Sequence, residues 1–281
     1  MVAALLLILS AFLHAGWNTL TKLSDTKDAF IFWTLLLSCA MVGLVLLVGP
    51  QPWELGDGPG FWLAVGAGVF EGFYLISMAR ALDRLPLAQA YPVMRGGAMV
   101  LVWMFSLIAG REAMSPLSLL GTFLVFMGIQ VSGWGGAQTR SAYLNDLMWP
   151  SLAAGCIAGY HVFYDEALRF NADPLALFVV ALLVSLPFIW VPRRARFAAD
   201  SRDLLASSKA KLLAAAAAAS LGFVGFLYGM KWSGPGYAIT LRNTSIFFSV
   251  GFSFLIRENV SRFQIAGALL VGLGAFILGL A

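Results

Sequence analysis

The sequence predicts an all-α, polytopic membrane protein of ten transmembrane helices, arranged as two inverted five-helix repeats. Three observations carry this. Of the 281 residues, 60% are hydrophobic and 11% charged, against roughly 25% charged in a soluble domain. The apolar residues form continuous runs of about 20, the length a helix needs to cross the hydrocarbon of a bilayer. The second half of the chain also repeats the first. Backbone groups in hydrocarbon find no water, which leaves helices or closed barrels, and the runs lack the two-residue alternation of barrel strands.

Taken in order, the spans are predicted near 2–21, 29–49, 60–82, 86–109, 115–134, 147–168, 174–191, 211–230, 235–256 and 261–280. Pro, Gly and charge mark the connections, as in Gly49-Pro50-Gln51-Pro52, Gly110-Arg111-Glu112 and Gly234-Pro235-Gly236. The longest loop is expected from Pro192 to Lys209, and no segment has the composition of an extramembrane domain. No Lys or Arg precedes Lys22, so the first span lacks the basic start of a signal peptide and is expected to be retained. Cys39 and Cys156 fall inside spans and read as small apolar packing residues. The formal charge of +4 lies in loops beside a membrane and is no sign of nucleic-acid binding.

Loops after odd-numbered spans hold 13 of the 18 Lys and Arg residues, from Lys22 and Lys27 to Arg257 and Arg262. Loops after even-numbered spans hold Arg111, Arg169 and Lys231. The positive-inside rule places the basic end in the cytoplasm and both termini outside.

The repeat is visible in the residues themselves. Met94-Arg95-Gly96-Gly97 corresponds to Leu241-Arg242-Asn243-Thr244, and Ala15-Gly16-Trp17-Asn18 to Ala158-Gly159-Tyr160-His161. Arg111-Glu112, Ser115, Gly121 and Gly128 recur 146 residues later as Arg257-Glu258, Ser261, Gly267 and Gly274. Two units are therefore expected, 1–136 and 145–281. Five spans is an odd number, so the copies face opposite ways. Such inverted repeats suit alternating access around a site near the bilayer midplane.

The Arg-Glu turn after the fourth and ninth spans, with its following Ser and two spaced glycines, resembles the EamA-domain branch of the drug/metabolite transporter superfamily. The likeness covers nearly the whole chain. His14-Ala15-Gly16-Trp17-Asn18 with Tyr91-Pro92-Val93-Met94-Arg95-Gly96 is similar to one subgroup of these bacterial permeases. The resemblance implies a ten-helix, multi-pass inner-membrane carrier of small metabolites, with both termini cytoplasmic, opposite to the charge count.

Charged and polar side chains at membrane depth are the candidate site. Arg95 and Arg242 lie mid-span at corresponding positions, and a guanidinium's planar fork of donors matches a carboxylate or phosphate. Either they bind an anionic group of the substrate, or they pair with internal acids and helix-end carbonyls. Glu71 is also mid-span, and its counterpart near Ala219 is apolar. It exchanges a proton with the transport cycle, or neutralises Arg95, or does neither. His14, Asn18 and Thr21 share one face of the first span, and Tyr160, His161 and Tyr164 mark the sixth. These polar groups line a cavity or make interhelical hydrogen bonds. Tyr91 lies one turn before Arg95, and Pro92 between them suggests a kinked, cavity-lining helix. Trp17, Tyr74, Trp103 and Asn243 are further candidates. Gly121, Gly128, Ala268 and Gly272 permit close helix approach, within the chain or in a homodimer.

The chain has no Gly-x-x-x-x-Gly-Lys-Ser/Thr, no His-Glu-x-x-His and no Gly-x-Ser-x-Gly. Direct ATP use, zinc hydrolysis and serine catalysis therefore have no motif, and no cofactor or metal is expected. The partners expected are a small-molecule substrate and the lipid bilayer, with the chain a monomer or homodimer. A secondary transporter of a small polar metabolite is the leading expectation, anionic or zwitterionic in cargo. A flippase for a lipid-linked anionic headgroup is the alternative.

Overall fold

The computed structural model describes residues 2–49, 53–56, 58–108, 114–134, 144–191 and 194–280, and no strand occurs among them. The first five helices are α1 (Val2–Lys22), α2 (Lys27–Val48), α3 (Gly60–Arg84), α4 (Leu87–Ile108) and α5 (Pro116–Gly133). The second half contributes α6 (Met148–Arg169), α7 (Pro174–Trp190), α8 (Arg194–Ser207), α9 (Lys209–Ser233), α10 (Pro235–Arg242), α11 (Ser245–Leu255) and α12 (Arg262–Leu278). With α10 and α11 taken as one broken span and α8 set aside, these are the ten membrane helices that the apolar runs predict. Five spans are long and apolar enough by themselves, including Tyr237–Leu255 across the break; α5 and α12 are apolar but shorter.

Local chemistry fixes the ends. Asp173 caps α7 by accepting from Leu175 N and Ala176 N at 2.9 and 3.1 Å, with Pro174 at the first helical position. Ser115 and Ser261, 146 residues apart, each close a capping box, with Ser118 and Gln264 respectively. The repeated serine of the sequence is thus a repeated helix start. Asn171 and Arg257 adopt left-handed conformations, with φ of 63° and 57°, at the ends of α6 and α11.

Two features depart from the sequence reading. The stretch expected to be the longest loop is largely helix α8. Residues 194–207 contain neither Gly nor Pro, and Phe197 and Leu204, seven apart, share one face. Phe197 packs edge-on against Phe32 at 4.8 Å, and Leu204 is buried with Phe30 and Leu212. The second departure is in the ninth span, which breaks after Arg242. Asn243 N donates to Thr240 O, Thr244 N to Leu241 O, Ile246 N to Asn243 O and Phe247 N to Thr244 O, all 3.0–3.1 Å. These i to i−3 bonds tighten the backbone into a 3₁₀-like step. The fourth span runs as one helix with Pro92 inside it.

Helix contacts between the halves come in exchanged pairs. Helix α3 packs on α6 as α9 does on α1, α3 on α7 as α9 on α2, and α4 on α6 as α11 on α1. Helices α5 and α12 cross each other most closely. A Cβ on Gly121 would sit 2.8 Å from Gly274 O, and one on Gly274 2.6 Å from Gly121 O. Gly128 and Gly267 repeat the arrangement at 2.6 and 2.5 Å. Backbone meets backbone at both points, so neither helix has room for a side chain there.

Gly128→Ala should therefore destabilise the protein by about 1–3 kcal/mol, read as a lower thermal midpoint in detergent. Gly155→Ala, where a Cβ would meet nothing within 4 Å, should leave that midpoint unchanged or slightly higher.

Candidate functional site

Arg242, at the end of α10, is fully buried. Its guanidinium carbon lies 4.1 Å from the ring centre of Phe226 and 4.9 Å from that of Phe223, both on α9. Such stacking replaces part of the hydration that a buried cation loses. Its Nη1 donates to Ser10 Oγ at 3.2 Å, and the Ser10 hydroxyl donates in turn to Gly222 O. Its Nη2 is 3.1 Å from His14 Nδ1. Trp17 Nε1 donates to the same nitrogen at 3.1 Å. Two donors aimed at Nδ1 make it the acceptor and put the ring proton on Nε2.

Arg95, on α4, is 2% exposed, and its Nε, Nη1 and Nη2 have no hydrogen-bond partner. It lies within electrostatic reach of Arg242 and of both histidines. An ionised group with unmet donors in a dry interior costs several kcal/mol, so this arrangement is expensive unless something accepts from it.

Of the roles open to Glu71, an ion pair with Arg95 is not formed. Glu71, on α3, accepts from Tyr164 Oη at 2.5 Å and has no ion pair among the described residues. A phenol one helix away meets the carboxylate's need for a donor, and the guanidinium is left without an acid. Asp165 turns outward to Arg169 at 3.1 Å.

The other predicted residues gather around these groups. Tyr91 on α4 stacks toward His14 at 6.1 Å, and its hydroxyl faces Asn18 and Ser245 outside hydrogen-bond geometry. Tyr160 on α6 packs against Tyr74 and Tyr164, both at 5.7 Å, and His161 against Phe226 at 5.3 Å. Asn18 Nδ2 donates to His14 O at 2.7 Å, which leaves Oδ1 unpaired. Tyr160 Oη, both ring nitrogens of His161, Asn243 Nδ2 and Ser245 Oγ are buried and unpaired as well. Thr21 is turned back to Trp17 O, and Trp103 lies in the apolar core, so neither joins this group. Beside Glu71, between His14, Trp17, Tyr74 and Phe223, lies a cavity of about 20 Å³, room for about one water. Among the described residues, no cluster of His, Cys, Asp and Glu could hold a metal.

The family model described as "EamA-like transporter family" matches residues 147–280, nearly the whole of the second expected unit. Over these residues the chain is similar to the EamA-like transporter family. A solved structure described as "Crystal structure of protein" covers 99% of this chain and 98% of its own length, with a TM-score of 0.62 and 17% identity. At that identity the likeness speaks for the fold alone. No curated protein matches the chain.

The sequence reading missed Ser10, Phe223, Phe226 and Ser245. Ser10 sits one turn before His14 on the same helix face, a spacing that could have found it. Nothing distinguished the two phenylalanines among the 22 of the chain.

Tyr164→Phe should cost about 1–3 kcal/mol by leaving Glu71 without its donor. In a double-mutant cycle with Glu71→Leu, thermal unfolding in detergent should show the two losses to be strongly non-additive.

Proposed function

We propose that this protein is a secondary transporter that carries a small polar metabolite with an anionic group across the bacterial inner membrane by alternating access. Two oppositely inserted halves, 1–136 and 145–281, enclose the site between them. The observation that carries this reading is Arg95, a buried guanidinium with all three nitrogens unpaired. Its fork takes a carboxylate or phosphate through two parallel hydrogen bonds. Arg242 has a different part, because Ser10, His14 and two phenyl faces already hold it. It adds a fixed positive field to which the anion is drawn. Two buried guanidiniums face a single buried carboxyl group here, an excess of positive charge that an anion offsets. The unpaired groups of Tyr91, Tyr160, His161 and Asn243 include several donors for the rest of the anion.

The broken ninth span supports the same placement, since interrupted helices at membrane depth are tolerated where they line a cavity. Glu71 is the group that would couple transport to protons. A zwitterionic cargo would set its amine there, beside Tyr74 and Trp17.

Purified protein in liposomes, tested with pooled labelled metabolites with and without a pH gradient, checks the proposal. Arg95→Ala should abolish anion uptake with an unchanged thermal midpoint, and Arg95→Lys should lose most of it because the two-point contact is gone. If only cations or neutral solutes move, and Arg95→Ala still moves them, the anion site is wrong. Movement of lipid-linked headgroups without any free metabolite would replace the carrier with a flippase. In the same assay, Glu71→Gln should remove gradient-driven uptake. Uptake that ignores the gradient, in both forms, would rule out proton coupling and leave the carrier intact.

A further inference from the structure

We propose that Lys22 and Glu258 form a latch between the two halves that closes the basic end of the transporter and must part for that end to open. The proposal rests on the alternating-access reading above.

Glu258 belongs to the Arg-Glu turn that the repeat singled out, and its position follows from how α11 ends. Arg257 takes the left-handed conformation, Glu258 N donates to Ser253 O at 3.0 Å, and Arg257 N donates to Phe254 O at 3.1 Å. This pair of bonds is the Schellman ending of a helix, here with an arginine in the place where glycine is usual. The turn directs the carboxylate of Glu258 across to the other half. There it accepts from Leu87 N, the first residue of α4, at 2.9 and 3.2 Å through its two oxygens. A carboxylate at the N-terminus of a helix meets unpaired N–H groups and the positive end of the helix dipole.

Lys22 completes the contact from the end of α1. Its Nζ lies 3.5 Å from Glu258 and donates to Leu82 O and Leu85 O at the end of α3, at 2.6 and 2.8 Å. One cation thus serves the C-terminus of α3, one anion the N-terminus of α4, and the two meet. Both side chains are largely shielded, at 19% and 13% exposure, so water screens the pair less than it would a surface pair.

The elements joined are those that carry the candidate site. Helix α1 bears Ser10, His14 and Asn18, α3 bears Glu71, α4 bears Tyr91 and Arg95, and α11 begins at Ser245. At the same end, Lys27–Asp83 at 2.8 Å and Arg80–Asp28 at 3.3 Å join parts of the first half only. Arg84–Asp146 at 3.5 Å does cross to the second half, but its arginine is 48% exposed. Among the described residues, Lys22–Glu258 is therefore the shielded ion pair that crosses at this end. Pulling the α11–α12 turn away from α1 and α4 breaks the ion pair and uncaps α4 in one step.

The test reads access to the site, with no substrate needed. Ser245→Cys, in a chain with Cys39 and Cys156 changed to Ala, is a near-isosteric reporter at a buried position. Its reaction with an impermeant anionic methanethiosulfonate is followed in right-side-out and inverted membrane vesicles. Exposed Arg202→Cys, in separate samples, reports which vesicles present the basic end. Glu258→Gln and Lys22→Met should speed modification from the basic end by about tenfold, the shift that losing a charge-assisted hydrogen bond brings, and leave the opposite end unchanged. Lys22→Arg should keep the slow rate. An unchanged rate from the basic end in Glu258→Gln overturns the latch, as does equal acceleration from both ends, which marks a loosened fold. If the parent reporter reacts from each end while Glu258→Gln changes nothing, the latch fails and alternating access stands. Reaction from neither end in any variant overturns both.

Discussion

A guanidinium held at membrane depth cannot shed its proton, so it has to be solvated by whatever surrounds it. The centre of this protein is organised by that requirement, met in two different ways. Arg242 is solvated by the protein, through two phenyl faces, a serine hydroxyl and an imidazole nitrogen. Arg95 is not, although its position in the repeat is equivalent. Meeting Arg242's needs draws α1, α9 and α10 together. Gly222 lets α9 approach α1 closely enough for Ser10 to bridge its carbonyl and the guanidinium.

The difference between the two arginines also bears on Glu71. Electrostatics on paper favours an acid beside a cation, and Glu71 stood at a plausible depth to serve Arg95. Its carboxylate is instead satisfied by a neutral phenol from α6. A neutral donor leaves Arg95 without an acid beside it. The separation of Glu71 from Arg95 and the exchanged contacts between the halves make sense together: symmetry sets where the helices go, and the few side chains that break it set the chemistry.

Much of this was legible in the residues. The ten spans followed from apolar run length and from Pro and Gly at the joins, because hydrocarbon imposes one length on every crossing helix. Arg95 and Arg242 stood out because a charge in such a run is costly wherever it points. The repeated serine and glycines of the 146-residue offset proved to be paired capping boxes and a reciprocal helix crossing. What stayed hidden was of two kinds. Helix α8 lies where polar composition reads as loop, since a helix that packs along one side needs only a narrow apolar face, here Phe197 and Leu204. Partner choice was hidden too. That Arg242 would rest on Phe223 and Phe226, and Glu71 on Tyr164, depends on how helices far apart in sequence rotate against one another, which no local spacing encodes.

The crossing of α5 and α12 has a consequence for how this sequence can drift. At Gly121, Gly128, Gly267 and Gly274 each helix is shaped against the main chain of the other, and a main chain offers no rotamer to repack. A methyl group gained by one copy cannot be absorbed by a smaller residue opposite, because nothing smaller exists. The two halves differ at Glu71 and Ala219 but are held alike at this seam, where a substitution on either side has nowhere to go.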